Sequence, residues 1–232
     1  MPRILVTRPQ PAAEAFAREI APSGWESVFW PATRIESRLT APTDYSGVSA
    51  LVFTSANGVR SLGHAPVETA YCVGARTAEA ARDAGFAKVI DAAGDSRALV
   101  RATLAAAPHE GALMHVRGAH SAGDVAGALR AAGLTVRELI AYEAVETGPP
   151  PPAVGKALHA QSLHAAAFFS PRAAGIFRTY AKAENPPLDG VTAFAISANV
   201  AAALGDLPFA RVETAAAPTG LAMRAAICGA VE

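Results

Sequence analysis

The sequence has little cysteine, few aromatics, no excess of charge of either sign and no long uninterrupted apolar run. Two cysteines, Cys72 and Cys228, among 232 residues form neither a CxxC pair nor a disulfide framework, and each sits in an apolar setting that suits an inert thiol. Twenty basic side chains balance twenty acidic ones. That balance removes the broad positive field of a nucleic-acid binder and any polybasic route to a membrane. No uncharged apolar run approaches the ~18 residues of a membrane helix. The start, "MPRILVTRPQ", enters a strand-like run at once and lacks a signal-peptide core, so the sequence reads as cytoplasmic. His115 and His120 flank "VRGA", and His159 and His164 are five apart; neither pair has the i, i+4 spacing of a zinc-binding helix face. GxGxxG, GxxxxGK[ST] and G-x-S-x-G are all missing, which leaves dinucleotide, triphosphate and nucleophile-elbow chemistry unsupported.

What is present is an apolar majority, 51% of residues against 17% charged, enough for one large or two small globular domains. It is written in duplicate. "RILVTRP" with its helix and strand matches "GALMHVRG" with the helix and strand after it, Arg8 aligning with Arg117 and Gly24 with Gly133. "ALVFTSANGVRSL" matches "AAAFFSPRAAGIF", Phe53 to Phe168 and Ser55 to Ser170; "TAYCVGARTAEAARDAGFAKVIDA" matches "TAFAISANVAAALGDLPFARVETA", Gly74 to Ser197. Each copy alternates strands with helices and ends on a helix opened by a hydroxyl, in "GDSRALVRATL" or "APTGLAMRAAI", so parallel sheets covered on both faces are expected.

Boundaries show in composition. "ETGPPPPAV", residues 146–154, contains four consecutive prolines and reads as an extended linker; charged and turn residues gather at 31–44. If the two connections run side by side, residues 1–34 and 149–232 form one discontinuous lobe and 35–148 an inserted second one.

Ligands of parallel α/β sheets bind beyond the carboxyl ends of the strands. Thr54 and Ser55 stand at one such end and Ser170 at its duplicate, where Pro171 suits a first helical turn. Ser55 and Ser170 are expected to cap helices. Gly74 and Ser197 occupy the next strand-to-helix turn, with Thr77 and Val200 inside it. Hydroxyls, amides and few charges suit a polyanion.

Taken in order, "ILVTRP", "LVFTSANGV", "YCVGARTAEAARDAGF", "HVRG", "LIAYEAV", "AAFFSPRAAGIF" and "FAISANVAAAL" resemble the uroporphyrinogen-III synthase family over nearly the whole chain. The resemblance implies an α/β protein of two flavodoxin-like lobes joined by a two-stranded connection, with the active site in the cleft between them. It implies a cytoplasmic, monomeric, cofactor-free lyase of tetrapyrrole synthesis with no metal. The substrate would be hydroxymethylbilane, a polycarboxylate closed to uroporphyrinogen III with inversion of ring D through a spiro intermediate. Its macromolecular partner would be transient, the preceding enzyme of the pathway. The family's tyrosine before the interlobe connection maps to Tyr142, as the group that helps the substrate's hydroxyl to leave. Thr77 and Ser170 map to hydroxyls of its two lobes. Thr54, Ser55, Ser197, Arg8 and Arg117 complete the expected substrate-binding set. Where the family often carries threonine in the last strand-to-helix turn, this chain has only Ser197 and Asn199.

A non-catalytic two-lobe binding module is the rival reading, disfavoured by the missing signal peptide. A pair of receiver-like regulatory units would need clustered acids at the first strand end, where this chain reads "VTRP".

Overall fold

The computed structural model describes residues 1–106, 110–120 and 123–230. In chain order the strands are β1 (Arg3–Val6), β2 (Glu26–Phe29), β3 (Thr33–Ser37), β4 (Val48–Phe53), β5 (Thr69–Cys72), β6 (Lys88–Asp91), β7 (Ala112–Gly118), β8 (Val136–Glu146), β9 (Ala165–Phe168), β10 (Thr192–Ala195) and β11 (Arg211–Thr214). The helices are α1 (Ala12–Ile20), α2 (Ala56–Leu62), α3 (Ala75–Asp83), α4 (Ser96–Ala105), α5 (Val125–Ala131), α6 (Pro152–His159), α7 (Pro171–Glu184), α8 (Ala198–Leu204) and α9 (Gly220–Cys228). The chain divides into two compact units, Met1–Arg34 with Val145–Glu232, and Ile35–Ala144.

Local sequence accounts for the element ends. Ala13, Phe16 and Ile20 fall on one buried stripe of α1, and the chain turns away at Gly24, whose φ of 84° a side chain would resist. Ser170 caps α7, Pro171 fills a first-turn position that needs no N–H, and Asn185 ends the helix in the left-handed region. One cap departs from expectation. The "GDS" helix, α4, is opened by the carboxylate of Asp95, which accepts from the N–H groups of Arg97 and Ala98, both at 2.9 Å. Ser96 is already inside the helix. Aspartate caps as well as serine does and here stands one residue earlier. Thr219 opens α9 as a hydroxyl cap.

The first unit holds a five-stranded sheet in the order β11-β10-β9-β1-β2, parallel throughout. The second holds β3-β8-β7-β4-β5-β6, in which β4 through β8 pair in parallel. Laid on each other, β11-β10-β9-β1-β2 and β6-β5-β4-β7-β8 are the same arrangement, the flavodoxin-like order. The strands that correspond are those whose sequences match: β1 with β7, β9 with β4, β10 with β5. Only the chain order of the pieces differs, since one unit begins with the β1–β2 pair and the other with the β4–β6 block.

The chain passes between the units twice, inside β3 and inside β8, and these strands are neighbours in one sheet. The Arg38 N–H donates to the Ala141 carbonyl at 2.9 Å, and the Thr147 N–H to the Ala32 carbonyl at 3.2 Å. The second crossing therefore precedes the proline run. Pro151 is extended, and Pro152 is already the first residue of α6.

Each sheet is buried on both faces, and two-residue alternation decides which side chain meets which layer. In the first unit Leu5, Ala166, Phe168 and Ala193 pack with α6, α7 and α8. Ile4, Val6, Ala165, Ala167 and Phe194 face α1 and α9. In the second, Leu51, Phe53, Met114 and Val116 meet α2 and α3, while Ala50, Val52 and Leu113 meet α4 and α5.

Phe177 is fully buried, with its ring centroid 5.1 Å from Phe168, 5.9 Å from Trp30 and 5.8 Å from Phe209. Both tryptophans, Trp25 and Trp30, lie in the first unit, so their fluorescence reports its unfolding. Phe177→Ala is expected to cost about 3–5 kcal/mol in a urea titration followed this way. A loss under ~1 kcal/mol would contradict the packing.

Candidate functional site

In the second unit the carboxyl ends of β4, β7, β8 and β5 lie side by side. The crossovers leave β4 toward β5 and β7 toward β8, in opposite directions, so the strand order reverses between β4 and β7. At that point β4 runs out into Thr54 and Ser55. The Ser55 Oγ accepts the Asn57 N–H at 3.1 Å and caps α2. The helix sits close: a Cβ on Gly58 would lie 3.1 Å from the Val116 carbonyl oxygen on β7. One strand further, Gly74 opens α3, and its carbonyl accepts the Thr77 N–H at 2.9 Å. Thr77 is 4% exposed, so its hydroxyl lies within the packing of the turn.

On the other side of the reversal, Arg117 ends β7. Its Nε donates to Glu138 Oε1 at 2.9 Å and its Nη1 to the Gly118 carbonyl at 3.0 Å. Glu138 also pairs with Arg130 at 3.4 Å. Partial burial pushes the Glu138 carboxyl up, and the hydrogen bonds and charges of Arg117 and Arg130 outweigh it, leaving its pKa below the ordinary value. Tyr142, on β8, stands opposite Gly118.

The first unit repeats the layout between β1 and β9. Thr7 is fully buried and donates through Oγ1 to the Ala167 carbonyl at 2.8 Å, pinning the two strand ends together. The Arg8 guanidinium lies 4.5 Å from the centroid of Phe169, over its ring. Ser170 Oγ accepts the Ala173 N–H at 3.1 Å. Ser197 opens α8 by position, with no side-chain capping bond, so its hydroxyl is not committed to the helix. The expected residues thus fall into two groups on two sheet edges: Thr54, Ser55, Thr77, Arg117 and Tyr142 on one, Arg8, Ser170 and Ser197 on the other.

Two residues of the second unit's edge were given no place in the site by the sequence, His115 having been weighed there only as a zinc ligand. Gly118 is one. The other is His115, on β7 and 2% exposed, with neither ring nitrogen hydrogen-bonded among the described residues. It adjoins a polar cavity of about 430 Å³ lined by Arg117, His120, Asp124 and Glu138. Burial pushes its pKa down from 6.5 to about 4, opposed by the Glu138 carboxylate and assisted by the Arg117 guanidinium. Alternation along "LMHVRG" puts His115 on the face shared by Leu113 and Arg117, and that was the available signal. Cys72 is buried, and its thiol is pushed up to about 12, chiefly by burial. Among the described residues no cluster of His, Cys, Asp and Glu is arranged to hold a metal, and no helix is long and apolar enough to cross a membrane.

Unfolded chain binds a proton at His115 near the ordinary value, folded chain only near pH 4. Between about pH 6.5 and 4 the unfolded state therefore carries more protons, so stability is complete above that window and lost as pH falls through it. The loss is up to about 3 kcal/mol. Urea midpoints measured by circular dichroism should fall across that range in the natural chain and flatten in His115→Leu. An equally steep fall in the variant would remove His115 as the cause.

A family model described as "Uroporphyrinogen-III synthase HemD" matches residues 14–224. No curated protein matches the chain. Among solved structures, uroporphyrinogen-III synthetase from Helicobacter pylori 26695 is similar with a TM-score of 0.66 at 18% identity, over 99% of this chain and 100% of that one. A mutant uroporphyrinogen III synthase from the extremely thermophilic bacterium Thermus thermophilus is similar with a TM-score of 0.52 at 19% identity, over the full length of both chains. These likenesses agree with the two-unit α/β fold. The extent of the family match carries the assignment: the chain belongs to the uroporphyrinogen-III synthase family, enzymes of porphyrin biosynthesis.

Proposed function

We propose that the protein converts hydroxymethylbilane to uroporphyrinogen III, as a cytoplasmic, monomeric lyase that needs no cofactor and meets the preceding pathway enzyme only in passing. Loss of the substrate's terminal hydroxyl leaves an azafulvene cation. The substituted carbon of ring D attacks it to give a spiro intermediate, which fragments and recloses with ring D inverted, for a net loss of one water. The pyrroles supply the electron push. The protein's share is to fold the linear chain, assist the departing hydroxide and keep water from the cation.

Family membership over residues 14–224 is the observation that carries this reading. The layout of the sheet edges supports it. Tyr142, the proposed proton donor to the leaving hydroxide, stands in the second unit on the edge where the strand order reverses. Ser55 and Ser170 order the first turns of α2 and α7 as caps, beside which the substrate's carboxylates would lie, with Thr54, Ser197 and Arg8 near such turns. Arg117 and Thr77 contribute differently. The guanidinium, already engaged by Glu138, orders the end of β7, and the buried threonine packs the first turn of α3.

The direct test supplies fresh hydroxymethylbilane to the purified chain, oxidises the products and separates the isomers. Type III in excess is expected; type I alone, at the uncatalysed rate, would leave the binding module as the better reading. Tyr142→Phe should lower kcat by about 10- to 100-fold with KM within about twofold, as expected for a lost general acid. An unchanged kcat would remove the hydroxyl from the mechanism.

A further inference from the structure

Tyr142 reaches its face of the sheet because β8 carries one extra residue. From Leu113 opposite Val136 to Arg117 opposite Ile140 the strands advance in step; then Gly118 pairs with Tyr142, and Ala141 is left over. Leu139 packs on the α2–α3 side and Val136 on the α4–α5 side. Unbroken alternation from Leu139 would send Tyr142 to the α4–α5 side. With the extra residue, Ala141 and Tyr142 both pack on the α2–α3 side. Re-aiming a side chain is what a bulge does.

The ring lands on Gly118. A Cβ there would lie 2.9 Å from both Cε2 and Cζ of Tyr142 and 3.2 Å from its hydroxyl oxygen, well inside the ~3.5 Å of ordinary carbon contact. Gly118 is not among the glycines with positive φ, so its backbone does not call for glycine; the space does. The surrounding peptide is fixed from two directions. Arg117 Nη1 donates to the Gly118 carbonyl while its Nε holds Glu138, and the Ala119 N–H donates to the Tyr142 carbonyl at 2.9 Å.

We propose that Gly118 is the positioning residue for Tyr142: the bulge at Ala141 sets the direction of the phenol, and the missing side chain at Gly118 sets its depth. The proposal rests on the reading in which Tyr142 assists the leaving hydroxyl. An added methyl meets the movable end of a side chain rather than backbone, so the ring yields and the sheet stays.

Gly118→Ala is expected to lower kcat about 10- to 100-fold with KM within about twofold, because a displacement near 1 Å is costly to a group acting on a transition state. In a Tyr142→Phe background the same change should lower kcat by less than about twofold, since the two residues act as one unit. Equal losses in both backgrounds would overturn the proposal. A second readout is independent of activity. The chain has four tyrosines, so 3-fluorotyrosine labelling gives four fluorine resonances, and Gly118→Ala should move the one that Tyr142→Phe deletes. An unmoved resonance overturns the seat. If the natural chain makes no type III isomer, the functional reading fails, and the resonance alone decides the positioning claim. If Gly118→Ala does not fold, folding restored by Tyr142→Ala supports the clash; failure in both backgrounds refutes it.

Discussion

Parallel pairing is the constraint on which everything else rests. A parallel strand cannot return to its neighbour through a tight turn, so the chain must cross the sheet, and here it does so by helices on both faces. Three consequences hold in each unit. Both faces are buried, which is why β9 can be "AAAF" with every residue inaccessible. Every strand but β2 and β3 runs at its carboxyl end into the first turn of a helix, whose amides need caps. And where consecutive crossovers depart in opposite directions, two such turns diverge and leave room beside them. Thr54, Ser55 and Gly118 stand at that point in one unit; Arg8, Phe169 and Ser170 stand at it in the other.

The protein handles charge by local engagement rather than by a field. With equal numbers of acids and bases, the chain carries no net positive charge, and the arginines at the two edges are held in place: Arg117 by Glu138 and the Gly118 carbonyl, Arg8 over Phe169. Arg8, held this way, keeps a defined geometry at little entropic cost when a carboxylate arrives, while Arg117 orders the end of β7. His115 belongs to the same economy. Its position beneath that edge is buried enough to keep the imidazole neutral, so β7 brings no further cation to the site.

Much of this was legible in the sequence because duplication doubles every weak signal. A serine after an apolar run is ambiguous alone; Ser55 and Ser170 in matched contexts are not, and both cap helices. The strand correspondences drawn from Arg8 and Arg117, Phe53 and Phe168, and Gly74 and Ser197 are the correspondences of the two sheets. What stayed hidden depends on pairing across strands. The extra residue in "LIAYEAV" is invisible until β8 is laid against β7. Gly118 then reads as the floor beneath a ring, where the sequence offered only the end of "HVRG". Likewise the proline run looked like the crossing, whereas β8 stays in its ladder past the unit boundary and Pro152 starts a helix.

The central claim is that the chemistry sits at the carboxyl edges of the parallel strands. Titrating the isotope-labelled protein with uroporphyrinogen III under anaerobic conditions, and following backbone amide shifts, tests it most directly. Perturbations should centre on the turns after β4, β7, β9 and β10, at Ser55 to Asn57, Gly118 and Ala119, Ser170 with Arg172 and Ala173, and Ser197 to Val200. Perturbations centred instead on the opposite edges, at Gly47, Gly133 and Gln161 to Leu163, would contradict the account.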